Sequence, residues 1–183
     1  MRRVILVTGG QRSGKSSYAE NMGLEISCNP QFFSIPSKPI YLATARVWDS
    51  EFALRIQRHK DGRKERWENI ECEKFLSECN VEGRVVVIDC VTLWATNFFF
   101  DMGEGDDKNF VQNVLSALKN EFEAFTAQDA TFIFVTNEIG MGEVSTNALQ
   151  RRFTDLQGWL NQYIASKADE VILMVSGIPL KVK

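Results

Sequence analysis

The stretch VILVTGGQRSGKSSYA, residues 4–19, places an apolar run directly before the pattern Gly9-x-x-x-x-Gly14-Lys15-Ser16. Glycines in such a loop allow the backbone N–H groups to turn inward and hold phosphate oxygens at the positive end of the following helix. The lysine contacts the β- and γ-phosphates, and the serine hydroxyl binds Mg²⁺. The apolar run predicts a strand, and the residues after the loop predict a helix. The stretch therefore predicts a site for a nucleoside triphosphate.

Continuous apolar runs recur along the rest of the chain. A strand that is apolar on both faces is buried on both sides, which is typical of a parallel sheet covered by helices. The predicted strands are 4–8, 40–44, 85–90, 131–136 and 171–176, and the predicted helices are 14–26, 49–63, 73–79, 107–127 and 147–168. In residues 176–183, Gly177 and Pro179 end the preceding strand, and apolar residues then alternate with charged residues at Leu180 and Val182. This pattern predicts a short antiparallel edge strand. We expect a P-loop NTPase-like (RecA-like) α/β fold with a mostly parallel sheet.

The length of 183 residues indicates one domain over residues 1–183. The formal net charge of -3 argues against a surface that binds nucleic acid. The four cysteines form no C-x-x-C pair and there is one histidine, so the sequence has no Cys/His zinc set and its thiols suit a reducing cytoplasm. The first apolar run is too short for a signal peptide or a membrane span. We expect a cytoplasmic protein without a membrane span.

Polar residues follow two of the other predicted strands. Ligands of parallel α/β sheets bind beyond the carboxyl ends of the strands, which makes these residues candidates for the site. Asp89 ends an apolar run and either helps to bind magnesium or caps the next helix. Asn137 and Glu138 lie in TNEIGMG, residues 136–142, and either contact substrate or magnesium or cap the turn. The sequence alone leaves these alternatives open.

The single histidine of the chain, His59, lies among Arg55, Arg58, Lys60 and Arg63. This group is either a solvated basic helix face or a place where cations bind phosphate oxygens. In the second case, a neutral imidazole beside the cations is able to attack a phosphorus atom as a nucleophile. The residues by themselves do not decide between the two interpretations.

Seven motifs follow one another along nearly the whole chain. They are GGQRSGKS at 9–16, YLATA at 41–45, RIQRHKDGR at 55–63, W-x-x-x-E at 67–71, DCVTLWATN at 89–97, TNEIGMG at 136–142 and VSGIPLKVK at 175–183. In this order they resemble the bifunctional adenosylcobinamide kinase/adenosylcobinamide-phosphate guanylyltransferase family of cobalamin assembly. One difference is Arg58, which stands where some members have a second histidine.

The resemblance implies a two-step transferase that uses ATP, GTP and Mg²⁺ and forms a homo-oligomer, a trimer. A nucleoside triphosphate phosphorylates the aminopropanol hydroxyl of adenosylcobinamide, and GTP then delivers GMP to adenosylcobinamide phosphate through a guanylylated histidine, which matches His59. Lys15 joins His59 as a predicted catalytic residue, and Ser16 and Asp89 are the predicted magnesium ligands. The predicted nucleotide contacts are Gly9, Gly10, Gln11, Arg12, Ser13, Gly14, Lys15, Ser16, Ala43, Thr44, Lys60, Asp61, Gly62, Arg63, Glu71 and Asp89.

Two alternative functions fit the same phosphate loop. The first is another P-loop small-molecule kinase, in which His59 acts only through its electrostatic field and no guanylyl transfer occurs. The second is a non-catalytic switch that binds GTP in order to recruit a partner. The sequence has no Asn-Lys-x-Asp element that would read guanine in such a switch.

Overall fold

A central sheet organises the part of the chain that this computed structural model describes, residues 2–29, 37–46, 64–103 and 109–183. Its seven strands lie in the order β3-β2-β4-β5-β1-β6-β7. All neighbouring pairs are parallel except β6 and β7, which are antiparallel. The strands are β1 (Arg3–Gly9), β2 (Ile40–Ala43), β3 (Glu68–Glu71), β4 (Val85–Asp89), β5 (Thr131–Val135), β6 (Glu170–Val175) and β7 (Ile178–Lys181).

Helices cover both faces of the sheet. Within the described ranges the α-helices are α1 (Lys15–Ser27), α2 (Val91–Asp101), α3 (Phe110–Phe125) and α4 (Ala148–Lys167). Successive side chains of a strand point to opposite faces. One set of strand residues, which includes Ile5 and Ile133, packs with α1, and the other set, which includes Leu6 and Phe132, packs with α2, α3 and α4. The predicted α/β class and the antiparallel edge strand are confirmed.

The predicted helix 73–79 is wrong, because only a single 3-10 turn forms at Leu76–Glu78. The backbone carbonyls just before this turn accept hydrogen bonds from side chains of α2 and so do not continue a helix. Asn97 Nδ2 donates to Glu73 O at 2.9 Å, and Trp94 Nε1 donates to Lys74 O at 2.8 Å. The predicted helix 49–63 lies outside the described residues.

Two elements, β3 and α2, have no counterpart in the prediction. Strand β3 is an edge strand with the sequence ENIE, and three of its four residues are exposed, so it shows neither an apolar run nor an alternating pattern. Helix α2 is buried on most of its surface, including Trp94, Phe98 and Phe99, and therefore lacks the polar face that reveals a helix in a sequence. Neither element was predicted, because β3 is more exposed than a typical strand of a parallel sheet and α2 is more buried than a typical surface helix.

Gly23 allows α1 to pack closely on the sheet, and we predict that Gly23→Ala destabilises the fold. A Cβ atom there would lie 2.8 Å from Trp67 Cη2 and 3.2 Å from Val87 Cγ2. Overpacking costs about 1–3 kcal/mol, which outweighs the gain of up to about 1 kcal/mol in helix propensity. Gly158→Ala in α4 is the matched control, since its Cβ would meet nothing within 4 Å. Urea unfolding should show a lower free energy of unfolding for the first variant only.

The four thiols differ in their expected reactivity. Burial, followed by the charge of Cys79, raises the pKa of Cys72 to about 12, and burial likewise raises the pKa of Cys79. Burial and the neighbouring Asp89 raise the pKa of Cys90 to about 12, whereas Cys28 is exposed. A thiol reacts as its thiolate. We predict that a thiol reagent at pH 8 modifies Cys28 rapidly in the native protein and all four cysteines in denaturant, and rapid native modification of Cys90 would contradict this.

Candidate nucleotide site

The phosphate loop connects the end of β1 to the start of α1 and needs glycine at two positions. Gly9 has φ +150°, and a Cβ atom there would lie 2.5 Å from the backbone oxygen of Met174. Gly14, at the N-terminal cap position of α1, has φ +92°. An L-residue with a side chain rarely adopts either conformation. The glycines of the sequence pattern thus have a direct structural reason in this loop.

The hairpin between β6 and β7 supports the phosphate loop from one side. The Gly177 amide donates a hydrogen bond to the Ser13 carbonyl at 3.0 Å. The Cα atom of Gly177 also lies 3.4 Å from the place where a Cβ atom of Gly14 would be. Gly177 has φ +85°, as the tight turn requires. This supporting role was not predicted, although the Gly-Ile-Pro sequence correctly indicated a turn.

Lys15 is buried inside the loop, with 7% of its surface exposed. Its Nζ atom donates to the Gly10 carbonyl at 2.5 Å and to Ser13 Oγ at 3.5 Å. Burial lowers the pKa of Lys15, and the neighbouring Cys90 and Asp89 act in the opposite direction. Lys15 therefore lies within the electrostatic reach of Asp89, which ends β4 at the same edge of the sheet.

Asp89 ends β4 with one carboxylate oxygen held in place. Tyr41 Oη donates to Asp89 Oδ2 at 2.5 Å, and Oδ1 makes no hydrogen bond to the residues that the structure describes. Helix α2 has Cys90 at its cap position and no side-chain cap bond. The capping alternative for Asp89 is therefore not observed, and its second oxygen is available for a ligand.

Three residues that were predicted to contact the nucleotide, Glu71, Ala43 and Asp89, lie side by side at the carboxyl edge of the sheet. Ala43 is in register with Glu71 on one side and with Asp89 on the other. Thr44 follows this row and is fully buried. Its hydroxyl donates to the Cys90 carbonyl at 2.8 Å and accepts from the Cys90 amide at 2.9 Å. These two hydrogen bonds connect the end of β2 to the start of α2. The contacts of Ala43, Thr44 and Glu71 with a nucleotide stay predictions.

The residues after β5 connect the loop to the rest of the site. Thr8 Oγ1 donates to Glu138 Oε1 at 2.7 Å, and the Glu138 amide donates to the Gly9 carbonyl at 3.1 Å. Asn137 Nδ2 donates to Thr92 Oγ1 at 3.1 Å. Both side chains therefore bond to neighbouring elements, β1 and α2, and do not cap their own turn. Glu138 is fixed beside the phosphate loop.

Comparison with known proteins identifies the chain. The family described as cobinamide kinase / cobinamide phosphate guanyltransferase matches residues 5–182. The chain belongs to this family. It is 39% identical to the bifunctional adenosylcobalamin biosynthesis protein CobU of Salmonella typhimurium and 37% identical to CobU of Escherichia coli, in each case over 98% of this chain and 99% of the relative. It is also 33% identical to the bifunctional adenosylcobalamin biosynthesis protein CobP of Pseudomonas aeruginosa, over 97% of this chain and 96% of the relative.

Two oxygen-bearing side chains at the candidate nucleotide site suit a magnesium ion. The Ser16 hydroxyl lies in the first turn of α1 and the Asp89 carboxylate ends β4. The described part of the chain has no group of three or more His, Cys, Asp or Glu residues that could hold a metal ion. Mg²⁺ in nucleotide enzymes usually binds through one or two protein oxygens together with phosphates. The donor set therefore fits a metal that arrives with the nucleotide.

A buried polar network behind Glu138 was missed in the sequence. Asn161 Nδ2 donates to Glu138 Oε1 at 3.3 Å, and Asn161 Oδ1 accepts from Thr136 Oγ1 at 2.7 Å and from Gln157 Nε2 at 2.8 Å. Gln157 and Asn161 are buried residues one helical turn apart on α4. Buried amides at this spacing, on a helix face that otherwise carries Leu156 and Leu160, are the signal that could have revealed the network.

The remaining predicted residues divide into two groups. The phosphate-loop residues Gln11 and Arg12 are exposed beside the buried Ser13, so the loop offers both side chains and backbone to a ligand. His59, Lys60, Asp61, Gly62 and Arg63 lie outside the described residues. None of the helices in the described ranges is long and apolar enough to span a membrane.

Proposed function

We propose that this chain phosphorylates adenosylcobinamide with a nucleoside triphosphate and then transfers GMP from GTP to adenosylcobinamide phosphate. The products of the second step are adenosylcobinamide-GDP and pyrophosphate. The observation that carries the proposal is the end-to-end match to the cobinamide kinase / cobinamide phosphate guanyltransferase family. Three full-length relatives, each named a bifunctional adenosylcobalamin biosynthesis protein, support it. The phosphate loop with buried Lys15 supplies the nucleotide site that both steps need.

One triphosphate site is able to serve both steps because each step begins with attack on a phosphorus atom of a bound nucleoside triphosphate. Attack on the γ-phosphorus transfers a phosphoryl group, and attack on the α-phosphorus transfers a nucleotidyl group. In both cases the protein contributes mainly position and positive charge. Lys15 and the loop amides provide these for the phosphates, and Ser16 and Asp89 would hold Mg²⁺, which neutralises the developing negative charge.

The guanylyl step is proposed to pass through His59. An imidazole nitrogen attacks the α-phosphorus of GTP and pyrophosphate leaves, so that a P–N bond replaces a P–O bond. An oxygen of adenosylcobinamide phosphate then attacks the same phosphorus, and the imidazole leaves with the electrons of the P–N bond. His59 is the single histidine of the sequence and has the cations Arg58, Lys60 and Arg63 beside it, which suits a group that must approach phosphate oxygens.

Product analysis tests the proposal directly. The purified chain is incubated with adenosylcobinamide, ATP, GTP and Mg²⁺, and the corrinoids are identified by mass spectrometry. Adenosylcobinamide-GDP is the expected product. Accumulation of adenosylcobinamide phosphate alone would favour the kinase alternative, and an unchanged corrinoid with tightly bound GTP would favour the switch.

The proposal also covers the oligomeric state of the protein and its location in the cell. The family resemblance supports a homo-oligomer, a trimer, that works in the cytoplasm. Analytical ultracentrifugation of the purified chain tests the assembly, and a monomer at micromolar concentration would contradict it.

A further inference from the structure

Glu138 follows the strand that separates the phosphate loop from Asp89 in the sheet. Strand β5 separates β4 from β1 in the sheet, and its last residue, Val135, is in register with Asp89 on one side and with Val7 on the other. Neighbouring strands are about 4.8 Å apart. Glu138 follows β5 at the carboxyl edge, and its amide bonds to Gly9 of the phosphate loop. Its carboxylate is thus placed at the same edge as the phosphate cradle.

The carboxylate of Glu138 is anchored through one oxygen and leaves the other without a partner. Oε1 accepts hydrogen bonds from Thr8 Oγ1 and Asn161 Nδ2. Asn161 is itself fixed, because its amide oxygen accepts from Thr136 and Gln157. Oε2 makes no hydrogen bond to any residue within the described ranges. A half-buried carboxylate with one restrained oxygen and one unbonded oxygen is arranged to accept a proton at a fixed position.

The two steps of the proposed function make different demands on such a group. In the kinase step the nucleophile is an alcohol, which must lose its proton as it attacks phosphorus. In the guanylyl step the nucleophiles are a neutral imidazole and a phosphate monoester, and neither has to lose a proton to react. A general base is therefore needed in the kinase step only.

We infer that Glu138 is the general base of the kinase step, an inference that rests on the proposed function. Oε2 accepts the proton of the adenosylcobinamide hydroxyl while that oxygen forms a bond to the γ-phosphorus of the nucleotide. The bond between the γ-phosphorus and its bridging oxygen breaks, and the electron pair leaves with the nucleoside diphosphate. The proton then passes from Glu138 to solvent, which restores the carboxylate.

Asp89 is less suited to this role than Glu138. Asp89 Oδ2 accepts its hydrogen bond from Tyr41, on the side of the site away from β5 and β1, and Asp89 is a proposed metal ligand. A carboxylate bound to Mg²⁺ is a poor base because the cation stabilises its charged form. Glu138 bonds instead to Thr8 and Gly9 of β1, the strand that leads into the phosphate loop.

Glu138→Gln tests the inference with little change in shape. The amide oxygen of glutamine still accepts the bond from Thr8, but the variant has no basic oxygen. We expect kcat of the kinase step to fall by about 10²–10⁴-fold, the usual contribution of a general base. GMP transfer to supplied adenosylcobinamide phosphate should be unchanged. Glu143→Gln is the matched control, because Glu143 is an exposed glutamate after the same strand, and both activities should be retained.

A further variant separates the base from other roles. Glu138→Asp keeps the charge but withdraws the carboxylate, so it too should lose the kinase step selectively. An equal loss of both steps would overturn the inference in favour of metal binding or loop structure, and an unaffected kinase step would also overturn it. If the unsubstituted chain makes no adenosylcobinamide phosphate, the proposed function itself fails.

Discussion

His59→Ala is expected to abolish guanylyl transfer and to leave phosphorylation of adenosylcobinamide intact. The substitution removes the proposed nucleophile of the second step, and loss of a nucleophile commonly lowers kcat by on the order of 10³-fold or more. The kinase step does not form a bond to this residue, so its rate should change little. Incubation with GTP labelled at the α-phosphate should attach label to the unsubstituted protein and none to the variant.

The kinase reaction serves as the internal control for His59→Ala. A variant that still phosphorylates adenosylcobinamide is folded and binds nucleotide, so missing label then reports on the nucleophile alone. The linkage can also be checked by its chemistry, because a P–N bond to histidine is reactive and should pass its GMP to added adenosylcobinamide phosphate. Retention of full guanylyl transfer by His59→Ala would show that the nucleophile is another group.

The same labelling separates the alternative functions. A small-molecule kinase without guanylyl transfer would phosphorylate its substrate and take up no label from GTP. A GTP-binding switch would show slow hydrolysis that cobinamide does not accelerate, together with binding of a partner that depends on the nucleotide. The absence of label in the unsubstituted, kinase-active chain would therefore exclude the covalent route.

Features with local causes were predictable from the sequence. The phosphate loop depends on residue types within eight positions, and the structure shows why Gly9 and Gly14 are needed there. Strands buried on both faces appear as apolar runs, so five of the seven strands were predicted close to their observed bounds. Helix α3 was predicted from a different local pattern, because Val114, Leu118 and similar residues recur at spacings of three and four and form one apolar stripe.

Features that depend on distant parts of the chain were not predictable in this way. The bond from Thr8 to Glu138 joins residues 130 positions apart, and only the order of the strands brings them together. The support that Gly177 gives to Ser13 depends equally on the position of β6 beside β1. Sequence reasoning therefore predicted Asp89 and the phosphate loop as parts of the site, but it could not place Glu138 beside that loop without the order of the strands.

Lys15→Met is expected to lower the rates of both steps together. Its ammonium group is the buried positive charge of the phosphate loop, and both steps use the phosphates of a nucleotide bound there. Removal of one such stabilising group typically lowers kcat by about 10²–10³-fold. The measurement is a parallel assay of adenosylcobinamide phosphorylation and of GMP transfer to supplied adenosylcobinamide phosphate. Lys119→Met on α3 is the control, because its ammonium group lies over the ring of Tyr163 and away from the loop.

The stability of Lys15→Met distinguishes lost charge from lost structure. Burial lowers the pKa of Lys15, so the folded state holds its proton less tightly than the unfolded state does. By linkage, this lysine contributes no stability at pH values below its folded pKa, and protonation there favours the unfolded chain. Methionine keeps a similar length and apolar stem without the charge, so the variant should unfold at the same or a higher denaturant concentration. Because one phosphate cradle serves both reactions in this proposal, a loss confined to one step in the folded variant would show that the two steps use separate nucleotide sites.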